Sequence, residues 1–154
     1  VRPSGLSLRW LLGGIMLGAS LGGPVWILET VADGLANPGD RLWRDFVQQV
    51  LGAACCEELL KFLAVLLLLS LAKRQRELNT RETVSIAISV GIGFMTLENV
   101  LAVVFSDAPM SIAVDRQLTI IAVHGGYQTV MGFLLAAYSR NRRWGWWPAR
   151  RCRS

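Results

Sequence analysis

Charge is scarce in this chain of 154 residues: Asp, Glu, Lys and Arg make up only 18%, against 53% apolar residues. That balance, with a mean hydropathy of +0.41, excludes an average soluble domain and points to a small membrane domain. Cysteine is nearly absent. Cys55 and Cys56 are sequence neighbours and Cys152 lies far away in the tail, so neither a disulfide framework nor a zinc-finger spacing is available. The thiols read as small apolar residues. There is no nucleophile elbow, no phosphate-cradling glycine loop next to a strand and no H-E-x-x-H zinc helix. Internal repeats and low-complexity linkers are missing too, so a single domain over residues 1–154 is expected. The net charge of +5 does not point to nucleic acid. The basic residues stand in short clusters beside apolar stretches, where they set membrane topology instead.

What is present is a series of apolar stretches of membrane-spanning length, which takes about 20 residues per helix. The first runs from Leu6 to Leu28, with Arg2 and Arg9 at its start, Trp10 and Trp26 near its ends and Glu29 just beyond. Gly14, Gly18 and Gly22 recur every four residues along it, a small-residue stripe that lets another helix approach closely. A membrane span is expected here rather than a cleaved signal peptide, because the stretch is long and no A-x-A site follows. Residues Glu29 to Arg44, with Asn37-Pro38-Gly39-Asp40, read as a turn-rich connection ending in a short interfacial helix. Further spans are expected at Phe46 to Ala72, Thr83 to Ser106 and Gln117 to Ser139, with a connection from Asp107 to Arg116. The predicted fold is therefore an all-α polytopic membrane bundle of about four transmembrane helices.

Residues 140–154 form an Arg-rich and Trp-rich tail suited to anionic headgroups. Lys73, Arg74, Arg76, Arg81 and the tail arginines fall on the same side as Arg2 and Arg9, whereas only Arg41, Arg44 and Arg116 fall on the other, among Glu29, Asp33, Asp40, Asp45, Asp107 and Asp115. The positive-inside rule then places both termini in the cytoplasm.

Ionisable groups inside these spans stand out. Cys55-Cys56-Glu57-Glu58-Leu59-Leu60-Lys61 sets adjacent carboxylates and an amine in an apolar run, and charges at that depth are costly unless they pair or do chemistry. On a helix Lys61 reaches both Glu57 (i, i+4) and Glu58 (i, i+3), so it can neutralise one and leave the other over. The next span contains Glu98-Asn99, and the last contains the only histidine, in His124-Gly125-Gly126-Tyr127-Gln128. At about 1.5 Å per residue, Glu57 is expected roughly 18 Å below Asp45, Glu98 roughly 13 Å below Asp107 and His124 roughly 12 Å below Arg116. Separate spans would thus deliver carboxylates, an imidazole and the amides of Asn99 and Gln128 to one level, as a buried reaction chamber requires. A carboxylate beside another in a low-dielectric pocket has a raised proton affinity and suits the uptake and return of a water proton. His124 and Gln128, at i and i+4, could donate to the oxyanion formed when water attacks an amide. The competing class is a non-enzymatic membrane protein, a proton-relay transporter fragment or a scaffold, whose polar groups would be strung across the membrane or left without a reaction.

Three blocks, Glu57-Glu58-x-x-Lys61, Phe94-x-x-x-Glu98-Asn99 and His124 followed by Gly132, stand in order on successive spans. In these the chain resembles the PrsW family of intramembrane proteases, relatives of the CAAX prenyl endopeptidase and the abortive-infection membrane proteins. The resemblance covers about Val50 to Gly132. It implies a glutamate-dependent membrane peptidase of the bacterial cell membrane that cuts a membrane-anchored protein such as an anti-sigma factor. Glu57 would activate the water with help from Glu98, His124 and Gln128 would hold the oxyanion, and Glu58 with Lys61 would brace the helix. No cofactor is expected. The family was earlier regarded as metallopeptidases, so the alternative is a divalent metal such as zinc on Glu57, Glu98 and His124.

Overall fold

The structure, a computed structural model, is described for residues 6–35, 41–47, 50, 55–75, 77–105 and 110–140. These form the helices α1 (Leu8–Ser20), α2 (Gly22–Leu35), α3 (Arg41–Phe46), α4 (Cys56–Gln75), α5 (Thr80–Phe105) and α6 (Met110–Arg140), with no strand among the described residues. The expected all-α membrane bundle is what the chain adopts. Two stretches, Leu8–Ala32 and Thr80–Leu101, are long and apolar enough to cross a bilayer by length and composition. Of the basic tail, Arg140 ends α6, and residues 141–154 lie outside the described residues.

Helices α1 and α2 are nearly one rod. Pro24 has no N–H to give the Ser20 carbonyl, and the helix resets there: Leu21 N–H bonds the Gly18 carbonyl (3.1 Å) and Val25 N–H the Leu21 carbonyl (3.0 Å). The rod extends through Glu29 to Leu35, past the boundary expected at Leu28, since the first strong helix breakers after Pro24 are Gly34 and the Asn37-Pro38 pair. The short helix expected before Phe46 is α3, where Trp43 and Phe46 stack at 5.9 Å.

The other boundaries also move. Within the span expected from Phe46, the described α-helix begins at Cys56, and Val47, Val50 and Cys55 before it adopt wider π-type turns. Glu57 and Glu58 lie in the first turn of α4. The connection expected over Asp107 to Arg116 is mostly helix, because α6 starts at Met110, directly after Pro109, a residue tolerated at helix starts.

Helix α5 is the centre of the bundle, packed along α1 on one side and α6 on the other, with α4 against it more briefly. In lipid no water is expelled when helices meet, so close packing has to hold them together. The glycine stripe of α1 provides it. A Cβ at Gly14 would overlap Ser89, at Gly18 the Val90 carbonyl and at Gly22 the side chain of Leu97, while Gly93 of α5 lies against the backbone of Ile15. On the other side Gly132 of α6 lies against Val84, where a Cβ would come within 2.8 Å of its Cα. Between α4 and α5 the seam is apolar, with Val65, Leu68, Leu69, Ile86 and Val90 buried.

The start of α5 is fixed by a reciprocal cap: Glu82 N–H bonds Asn79 Oδ1 and Asn79 N–H bonds Glu82 Oε2, each at 2.9 Å. Arg9, at the start of α1, hydrogen-bonds Gln75 at the end of α4. These helix ends therefore share one end of the bundle. Glu57, at the start of α4, and Glu98, late in α5, consequently lie toward the opposite end.

Candidate active site

Three helices meet at a single lysine. Lys61 on α4 is wholly buried, at 0% exposure, and its Nζ lies 2.8 Å from Glu58 Oε1 and 3.1 Å from Glu57 Oε2. The i, i+3 and i, i+4 spacing places both carboxylates on its face of the helix. From α6, His124 brings Nδ1 to 2.8 Å from the same Nζ. From α5, Phe94 puts its ring under the ammonium at 4.1 Å, a cation–π contact, and the same ring lies 6.2 Å from the imidazole. Charges this deep are tolerable in a membrane only when paired and hydrogen-bonded, and here one ammonium bonds two carboxylates and so neutralises only one of them.

The partners of the lysine are less deeply buried than it is: Glu57 is 13% exposed, His124 16% and Glu58 34%. Glu98, at 26%, closes the far side, with its Oε2 4.0 Å from His124 Nε2. That gap is too long for a hydrogen bond and is the separation that a single bridging oxygen spans. Glu57, Glu98 and His124 all bring a ligand-type atom within 4.8 Å of one another.

Gln128 is one turn beyond His124 and fully buried against Gly91. One of its amide hydrogens points at Glu58 Oε2, at 3.4 Å, and its Oε1 is buried without a hydrogen-bond partner among the described residues. Asn99 follows Glu98, but its buried Nδ2 makes no hydrogen bond to the cluster. Glu57, Glu58, Lys61, Glu98, His124 and Gln128 are thus brought together, and Asn99 is not tied to them. Sequence reasoning missed two things. Lys61 reaches across to α6 as well as along its own helix, and Phe94 is the wall of the lysine pocket. A phenylalanine one turn before a buried carboxylate was the available signal for the latter.

Apolar side chains would pack in lipid as well as this cluster does, so its expense marks a membrane protein that moves ions or does chemistry. The groups gather at one point instead of forming a chain across the bundle, which is the arrangement of a reaction site. Comparison with family models narrows the class: the model of the PrsW family intramembrane metalloprotease matches residues 6–152, nearly the whole chain, and the chain belongs to that family. It is a membrane-embedded peptidase, and its substrates are membrane proteins in the bilayer. No curated protein and no solved structure matches the chain.

The family description names a metal, and two carboxylates with an imidazole are a chemically suitable donor set for a divalent ion such as zinc. The lysine is not suitable company. Its Nζ stands 3.1 Å from Glu57 and 2.8 Å from His124, against two of the three ligands, where its charge repels a dication. The lysine charge weighs against a tightly held metal in this arrangement.

Proposed function

We propose that the chain hydrolyses a peptide bond of a membrane-anchored protein, such as an anti-sigma factor, with a water activated by glutamate and no bound metal. The observation that carries this reading is the convergence of Glu57, Glu98 and His124, whose ligand-type atoms lie within 4.8 Å of one another. Glu57 gives one oxygen to Lys61, and the other is available to the water. The water proton passes to the carboxylate pair as the water oxygen bonds the carbonyl carbon. The carbonyl oxygen becomes an oxyanion, held by His124 with Gln128 beside it. When the C–N bond breaks, the same proton goes to the departing amine. Glu58 and Lys61 hold the first turn of α4 in place.

The setting proposed with it is a bacterial plasma membrane, crossed about four times with both termini cytoplasmic, the whole chain forming one domain and residues 140–154 lying on the inner surface. The second reading, zinc on Glu57, Glu98 and His124, is favoured by their spacing and the family description. One experiment separates the two. In liposomes holding a membrane-tethered substrate, Glu57→Gln should lower cleavage by about 10²–10⁴-fold at normal abundance, since the amide keeps the shape but cannot accept a proton. The parent protein should cleave equally well after chelation. A stoichiometric metal whose removal and return switch cleavage off and on would establish the zinc reading instead.

A further inference from the structure

We infer that Lys61 locks His124 in the tautomer that carries its proton on Nε2, so that the imidazole presents a fixed N–H toward Glu98. This deepens the proposed function and rests on its placing His124 at the reacting oxygen. An ammonium has three hydrogens and no lone pair, so each of its partners must accept. Lys61 Nζ has three such partners, Glu57 Oε2 at 3.1 Å, Glu58 Oε1 at 2.8 Å and His124 Nδ1 at 2.8 Å. The residue is wholly buried, so the count of hydrogens and acceptors closes on these atoms.

Nδ1 must therefore offer its lone pair. A neutral ring then carries its hydrogen on Nε2, and an imidazolium would set two donors and two positive charges against each other. The rival tautomer would need Nδ1–H to bond Glu58 Oε1, but that oxygen is 3.5 Å away, beyond the charge-assisted contact made by the lysine. The freed N–H faces the gap before Glu98 Oε2, 4.0 Å off. Two consequences follow for the reaction. His124 acts as a donor to the carbonyl oxygen, leaving the carboxylates as the only bases, and its Nε2 has no lone pair for a metal. Lys61 is thus a positioning residue, acting through the histidine.

The chain has one histidine, so full-length protein labelled with ¹⁵N-histidine and purified without a histidine tag yields a single pair of ring nitrogens. Two-bond ¹⁵N–¹H correlation in detergent at neutral pH should show Nε2 protonated and Nδ1 as an unprotonated acceptor. Added zinc should leave that pattern unchanged. Lys61→Met should convert it to a tautomer mixture or to Nδ1–H. A parent spectrum of the Nδ1–H form or of imidazolium, a zinc-induced shift of Nε2, or an unchanged tautomer in Lys61→Met would each overturn the inference. If Lys61→Met cannot be extracted folded, the parent spectrum decides alone. The expected tautomer in a protein unable to cut a tethered substrate would defeat the peptidase mechanism only, whereas an Nδ1–H spectrum with cleavage intact would defeat the tautomer lock only.

Discussion

The two sides of α5 hold their neighbours by opposite means. Toward α1 the helices approach closely, backbone on backbone at Gly18 and Gly93 and against the Ser89 side chain at Gly14, leaving no room for a larger residue. Toward α4 and α6, at its far end, the contact is a closed set of charges, with Lys61 shared between Glu57, Glu58 and His124. Both satisfy the same constraint, that lipid offers no hydrophobic force to join helices and no water to satisfy polar groups. The glycine seam tolerates no added atom, and the polar cluster tolerates no lost charge. The difference separates a part built for rigidity from a part whose stability is bound up with its chemistry.

The sharpest way to break the comparison is at Lys61. Lys61→Met removes the buried cation shared by two part-buried carboxylates; breaking a fully buried ion pair typically costs about 3–5 kcal/mol, and the exposure of Glu58 brings the expected loss toward or below the lower figure. Abundance of the folded protein in membranes should fall before any specific loss of cleavage can be measured. Normal abundance with full activity would show that the cluster does not hold the helices together.

On the seam the expected effect is smaller and depends on position. Gly18→Ala drives a Cβ into the Val90 carbonyl, to within 3.0 Å of the Phe94 nitrogen as well, and overpacking of this kind costs about 1–3 kcal/mol. Gly13→Ala, one turn away on the open face with nothing within 4 Å, should be neutral or stabilising by about 0.5–1 kcal/mol. Reversible unfolding in mixed micelles would read the pair, and equal values for both would sink the close-approach account of α1 on α5.

The smallest effect lies outside both regions. Asn79→Ala removes the side-chain acceptor of Glu82 N–H and with it half of the cap of α5, worth about 1 kcal/mol. Hydrogen exchange should speed up at the first turn of α5 and stay unchanged around Phe94 and Glu98. Exchange that rises along the whole helix would mean that the cap, and not the two flanking interfaces, sets the stability of α5.

Much of this molecule is legible in its composition and spacing. Apolar runs announce the helices, because a polypeptide in lipid must satisfy its backbone internally. Glu57, Glu58, Lys61, Glu98 and His124 announce themselves because a charge inside such a run is too expensive to be idle. The pairing of Lys61 with both glutamates follows from helical spacing alone, and so does the glycine stripe. Boundaries are less legible. Helix α6 absorbs Asp115 and Arg116, and α2 absorbs Glu29, because a helix with satisfied backbone groups continues until a breaker stops it.

The sequence by itself determined the class of fold, the face of α4 that carries the charges and the identity of the groups that must find partners. Tertiary structure alone decided the partners across helices: Lys61 on His124 Nδ1, Phe94 beneath the ammonium, Gln128 turned to Glu58 and Glu98 held 4.0 Å from the imidazole. The reason is physical. A period of 3.6 residues says which side chains share a face, but the rotation and approach of one helix on another come from the packing of α1, α4 and α6 around α5, and a shift of about 1 Å there decides whether two groups bond or leave room for a water.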